Sequence, residues 1–62
     1  MKLKIKSIRK NCGFTQQELA VKSGVSVAAI NFFENDKKLP SLQVAYNIAI
    51  ALDCKIDDLI AS

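Results

Sequence analysis

Apolar residues recur along this chain at steps of three and four with polar residues between them, the period of helices that bury one face. In a first stretch, Leu3 to Asn11, Ile5 and Ile8 share a face with Cys12, while Lys4, Lys6 and Lys10 fall elsewhere; Gly13 supplies the stop. A second, about Gln16 to Ser23, turns Leu19 and Ala20 inward. A third, about Val27 to Asn35, buries Ile30 and Phe33 and leaves Val27, Ala28, Asn31 and Phe32 on the opposite side. The fourth runs from a Ser41 cap to about Leu52, with Leu42, Ala45, Tyr46, Ala49 and Leu52 on one face and Ile48 at its margin. Val44, Ile50 and Ala51 fall off that face, so this helix is apolar nearly all round: either deeply buried or covered on a second side by a partner. A last helical turn or two is expected over Ile56 to Ile60, with Asp57 and Asp58 favourable near its start. The expected fold class is all-α, with about five short helices.

The punctuation between these elements is most informative from Thr15 to Glu34. Thr15 and Glu18 form a capping box: the hydroxyl accepts from the Glu18 amide, and the carboxylate reaches back to the Thr15 amide. Phe14, just before the cap, is placed to staple onto Leu19 or a nearby residue. Gly24 fits the left-handed residue that ends a helix, and Ser26 offers an acceptor for the next helix start. Ala20 is small enough to let another helix approach, and Val25 would plug the space between. Two short helices split by a tight glycine turn make residues 15–34 a helix-turn-helix, a device for DNA recognition. Beyond it, Asn35-Asp36-Lys37-Lys38 reads as a polar turn, and Pro40 bars further helix.

Composition narrows the function. Sixty-two residues, half of them hydrophobic, make a single domain, 1–62, with a small core. The net charge of +3 is compatible with nucleic acid, and its distribution says more. Basic residues cluster at Lys2 to Lys10 and at Lys37-Lys38, and acids gather at Asp53, Asp57 and Asp58. No apolar run approaches the roughly 20 residues of a membrane span and no signal peptide is visible, so a cytoplasmic protein without membrane contact is expected. Cys12 and Cys54 are too few for a zinc site without histidine, and they read as small buried or half-buried hydrophobes. There is no histidine, Gly-rich phosphate loop or nucleophile–base pair, and the adjacent Asp57 and Asp58 point apart on a helix. No catalytic residue, metal, cofactor or small-molecule ligand is expected, and the chain reads as a non-enzyme.

The ordered residues Ile8-Arg9, Phe14 to Ala20, Ser23 to Ser26, Ile30, Phe33-Glu34-Asn35, Pro40-Ser41-Leu42, Ile48-Ala49, Ala51-Leu52 and Asp58-Leu59 resemble the Cro/repressor-type helix-turn-helix family, the lambda-repressor-like DNA-binding domains. The resemblance covers essentially the whole chain. It implies that Thr15, Gln16 and Gln17, at the start of the second helix, grip DNA phosphates together with exposed amides there, as helix N-termini readily do. It implies that Arg9 and Glu34 form a structural ion pair tying the first helix to the end of the third. Asn35, Lys37 and Lys38 would lie along the sugar-phosphate backbone, adding affinity but no sequence information. Ser26 is expected among the DNA-binding residues, and Val27, Ala28, Asn31 and Phe32 would face the bases.

Three positions depart from the family pattern. Asp36 stands where glycine is usual, so an acid takes the left-handed position near any phosphate. Asp53 and Lys55 replace a common glycine and Ser/Thr cap, which predicts a frayed last helix. The outward face of the third helix is apolar where the family commonly carries hydrogen-bonding side chains. Val27, Ala28 and Phe32 can pack on thymine methyl groups, with Asn31 the one good hydrogen-bonding reader and adenine its natural partner. The expected function is a small transcriptional regulator, most simply a repressor, bound as a dimer to a palindromic operator in double-stranded DNA with the third helix in the major groove. Homodimer contacts are expected from the fourth helix and C-terminal segment, with Val44, Ile50, Ile56 and Ile60 supplying apolar surface. The alternative is a protein-interaction module on the same fold that uses the apolar face of the third helix.

Overall fold

A computed structural model describes residues 2–61, with side chains described over 3–60; Met1 and Ser62, the ends of the expected domain, lie outside the described residues. The order is β1 (Lys2–Leu3), α1 (Ile5–Asn11), α2 (Gln16–Ser23), α3 (Val27–Glu34), α4 (Leu42–Ala51), a 3-10 turn (Ile56–Leu59) and β2 (Ile60–Ala61). The all-α fold class holds, with the 3-10 turn as its fifth short helix. Ile5, Leu19, Ile30, Ile48 and Leu59, one from each helical element, are fully buried and form the centre of the core. Phe33, Ala49 and Leu52 complete it. The centre of the bundle is α2, which packs on both α3 and α4; α1 packs on α3, and the 3-10 turn closes on α4.

The predicted punctuation is present. Thr15 Oγ1 accepts from the Glu18 amide at 3.1 Å, and Glu18 Oε1 accepts from the Thr15 amide at 2.9 Å. Ser26 and Ser41 accept from the Ala29 and Val44 amides at 3.1 and 3.2 Å. Gly24 ends α2 at φ 70°, a conformation that would strain any side chain. Asp36 takes the left-handed position at φ 57° and Asp53 at φ 56°, so aspartate does in both places what glycine does more cheaply. The last helix is shortened to one 3-10 turn. Lys55 makes no side-chain cap at its start; Asp58 supplies only the return bond, its carboxylate accepting from the Lys55 amide at 3.0 Å.

Three expectations are corrected. Leu3 is extended, not helical: β1 pairs antiparallel with β2, Leu3 opposite Ile60, and the Lys4 amide donates to the Leu59 carbonyl at 2.7 Å. Once those backbone groups are paired across the termini, the helix starts at Ile5. On α4 the inward face is Ala45, Ile48, Ala49 and Leu52 with Val44 partly covered, whereas Leu42 and Tyr46, expected inside, are 76% and 51% exposed. Periodicity cannot choose a face on a helix that is apolar all round, and here packing against α2 and the 3-10 turn decides it. Cys12 is exposed, its thiol directed at the Leu52 carbonyl at 3.8 Å, while Cys54 is half-buried; both thiols are free. Burial, then the charges of Asp58, Cys12 and Asp53, pushes the Cys54 thiol up from its ordinary value.

Among the described residues no helix is long and apolar enough to cross a membrane, and no group of His, Cys, Asp and Glu could hold a metal ion.

Candidate nucleic-acid interface

The start of α2 is an exposed helix N-terminus. The capping box uses the Thr15 and Glu18 amides. The Gln16 and Gln17 amides, which helix geometry leaves unpaired, have no acceptor among the described residues. Those two N–H groups, with the aligned dipole behind them, attract an anion. Gln17 and Thr15 are exposed at this end. Glu18 is exposed too, and hydrogen bonds from the Thr15 amide and hydroxyl hold its carboxyl below the ordinary value.

Behind this end lies a polar brace. Arg9 donates from Nε to Glu34 Oε2 at 2.6 Å and from Nη2 to Glu34 Oε1 at 3.1 Å, a two-pronged pair. Its Nη1 donates to the Phe14 carbonyl at 2.7 Å, which fixes the loop leading into α2. The two side chains are 9% and 2% exposed, so the pair is buried, as a structural tie between α1 and the end of α3 requires. Gln16 joins it: its Nε2 donates to Glu34 Oε1 at 3.0 Å. Burial pushes the Glu34 carboxyl up, but the hydrogen bonds from Arg9 and Gln16 and the charges of Arg9 and Lys6 outweigh it and hold the group below its ordinary value. From the sequence only an outward, phosphate-gripping role is expected of Gln16. The structure leaves it half-buried, facing inward with one amide hydrogen and free to offer the other.

The outward face of α3 is as expected from its period. Ser26, Val27, Ala28, Asn31 and Phe32 are all exposed, Phe32 by 46% and Val27 by 38%, while Ile30 and Phe33 lie in the core. The loop after α3 bends back on this face. The Lys37 amide donates to the Phe32 carbonyl at 2.9 Å, and Phe32, Lys37 and Lys38 line one shallow hollow. The ring of Phe32 thus sits beside two exposed lysines, an apolar plate with positive charge at its edge. Asn35, at the C-terminal cap of α3, turns its side chain back along the helix. Its Nδ2 donates to the Asn31 carbonyl at 2.9 Å and to Asn31 Oδ1 at 2.6 Å. Only the spacing of the two asparagines, four residues apart at a helix end, could have signalled this contact.

Comparison with known proteins follows the same lines. A family profile described as helix-turn-helix matches residues 5–59. An uncharacterized helix-turn-helix-type transcriptional regulator of Archaeoglobus fulgidus is 44% identical over 59 residues, 95% of this chain and 84% of the relative. Another, from Methanocaldococcus jannaschii, is 42% identical over 59 residues, 95% of this chain and 89% of the relative. The crystal structure of the restriction-modification controller protein C.AhdI from Aeromonas hydrophila superposes with a TM-score of 0.88 at 26% identity, covering 92% of this chain and 86% of that one. With its capped helix pair, its glycine turn and its buried brace, the chain belongs to the Cro/repressor-type helix-turn-helix family of DNA-binding transcriptional regulators.

Proposed function

We propose that this protein binds double-stranded DNA sequence-specifically as a homodimer and regulates transcription, most simply as a repressor, with α3 in the major groove. The observation that carries this reading is the exposed set Val27, Ala28, Asn31 and Phe32 on one face of α3, with Lys37 and Lys38 at its edge. An α-helix fits the major groove, and a face with three apolar members reads thymine methyl groups by packing. Ser26 lies at the start of that face, exposed, with its hydroxyl already accepting from the Ala29 amide. Phosphates on either side are met by the free amides of Gln16 and Gln17, by the Thr15 and Gln17 side chains, and by Lys37 and Lys38. Asn35, expected among these contacts, has both amide hydrogens on Asn31, which leaves it only an acceptor. Repression requires only occupancy of a promoter, so no catalytic group enters the account.

Dimerisation is assigned to the stripe Leu42, Tyr46 and Ile50, spaced by four along α4, with Leu39 and Ile60 beside it. These five are 40–76% exposed. This replaces the expected set in part, because Val44 and Ile56 are half-buried against the core while Ile50 and Ile60 stay outside. Two copies joined along this stripe would present two α3 helices to half-sites about one helical turn apart.

The test is titration with mixed-sequence duplex at low and high salt. Phosphate contacts predict measurable affinity at about 50 mM salt and a steep loss by about 200 mM. No binding to any duplex at the lower salt would sink the reading and leave the apolar α3 face to a protein partner.

A further inference from the structure

Helices α2 and α3 are joined through the turn at Gly24, which links the end of one to the start of the other. The opposite ends, the start of α2 and the end of α3, are joined by side chains. Gln16 is the first residue of α2 and Glu34 the last of α3, and the Gln16 amide lies 3.0 Å from Glu34 Oε1. The Glu34 carboxyl, held below its ordinary value, is ionised at neutral pH and only accepts, so the end of Gln16 that meets it is the NH2. Arg9 donates to both oxygens of the same carboxylate and to the Phe14 carbonyl, two residues before Gln16. Arg9 therefore ties α1 and the entry loop to α3. Among the described residues, Gln16 alone ties α2 itself to that carboxylate.

We propose that Gln16 is a positioning residue for DNA recognition, fixing the phosphate-binding start of α2 against the base-reading helix α3 through Glu34. The inference rests on the DNA-binding reading above, and it gives the Gln16 side chain a different task from its main chain. The main-chain amide, with that of Gln17, attracts the phosphate. The side chain sets where α3 stands once that phosphate is held. On arbitrary sequence the protein needs phosphate contacts alone, and the setting of α3 changes nothing there. On its own site it must hold the phosphates and seat Val27, Ala28, Asn31 and Phe32 on the bases together. Two helices clasped at both ends meet that demand already ordered. Two helices joined only at Gly24 must be ordered during binding, which lowers affinity for that site. Gln16 thus governs specificity without touching a base.

Affinities for a site selected from random DNA and for mixed-sequence duplex, measured for the native chain, Gln16→Met and Gln17→Met, test this. Methionine keeps the main-chain amide and much of the length of glutamine but donates no hydrogen bond. Gln16→Met is expected to lose about tenfold on the selected site, the strength of one hydrogen bond to a charged group, and to keep its mixed-sequence affinity within about twofold. Gln17, exposed at the same end, gives the comparison: Gln17→Met is expected to weaken both duplexes equally. Gln16→Ala must reproduce the split, which excludes a packing effect of methionine. Equal loss on both duplexes would make Gln16 a phosphate contact, and no loss on either would make the clasp idle in recognition; each overturns the proposal. Titration of the Glu34 carboxyl by NMR reads the clasp without DNA. Its pKa is expected to rise toward the ordinary value in Gln16→Met, with Arg9 and Lys6 still beside it, and an unchanged pKa overturns the clasp. Failure of the native chain to bind any duplex would instead remove the DNA-binding reading itself.

Discussion

Arg9 and Glu34, 25 residues apart in sequence, meet through two parallel hydrogen bonds, Nε to Oε2 at 2.6 Å and Nη2 to Oε1 at 3.1 Å, in a pocket that leaves them 9% and 2% exposed. The pair joins α1 to the last residue of α3, and so sets the angle at which α3 leaves the bundle. Removing one partner strands a buried charge. Glu34→Ala, or Arg9→Ala, is therefore expected to cost about 3 kcal/mol, read from urea unfolding midpoints. A loss below about 0.5 kcal/mol in either variant would mean the pair is solvated and contributes no bracing.

The same carboxylate gives the fold an acid sensitivity of known sign. Its pKa is lowered in the folded state from an ordinary value of 4.5, so the folded protein binds the proton less readily than the unfolded chain. Its contribution is fully present above the ordinary value and is lost as pH falls through the lowered one. Thermal unfolding between pH 7 and pH 3 should show a steeper acid loss in the native chain than in Glu34→Gln, which has no proton to bind there. Parallel curves would assign the acid loss to other groups, Glu18 first among them, since its pKa is lowered as well.

The frame of the site was legible in the chain because it rests on short-range chemistry. The Thr15–Glu18 box, the Gly24 turn and the Ser26 and Ser41 caps each need only residues within three positions, and a period of three to four identifies the α3 face. What periodicity could not resolve was long-range or degenerate. Helix α4 is apolar on all sides, so its inward face depends on α2 and the 3-10 turn, and Leu42 and Tyr46 go outward. The pairing of Leu3 with Ile60 joins opposite ends of the chain and has no local signal. Gln16 looked like a surface residue until the fold brought Glu34 within 3.0 Å of its amide.

Phe32 separates the two uses of the α3 face. Its ring is 46% exposed and lies beside Lys37 and Lys38, outside the core. Phe32→Ala should leave stability within about 0.5 kcal/mol of the native chain. It should still weaken duplex binding. An unfolded variant would show that the ring supports the core and that the outward assignment of α3 is wrong.

Along α4, Leu42, Tyr46 and Ile50 repeat at every fourth residue and are 76%, 51% and 59% exposed. Placing a charge in the middle of the stripe, Tyr46→Glu, should shift the protein from dimer to monomer in sedimentation without unfolding it, because an unpaired charge at an apolar interface is costly. An unchanged sedimentation coefficient, with the native chain dimeric, would move the interface elsewhere.

Selection of bound sites from random duplex DNA by the native protein tests the central claim most directly. The account predicts a palindrome with A·T pairs in each half-site, where Val27, Ala28 and Phe32 meet thymine methyl groups. Its half-site centres should lie about 10 base pairs apart. Enrichment of half-sites made only of G·C pairs, or no enrichment over the starting pool, would contradict it.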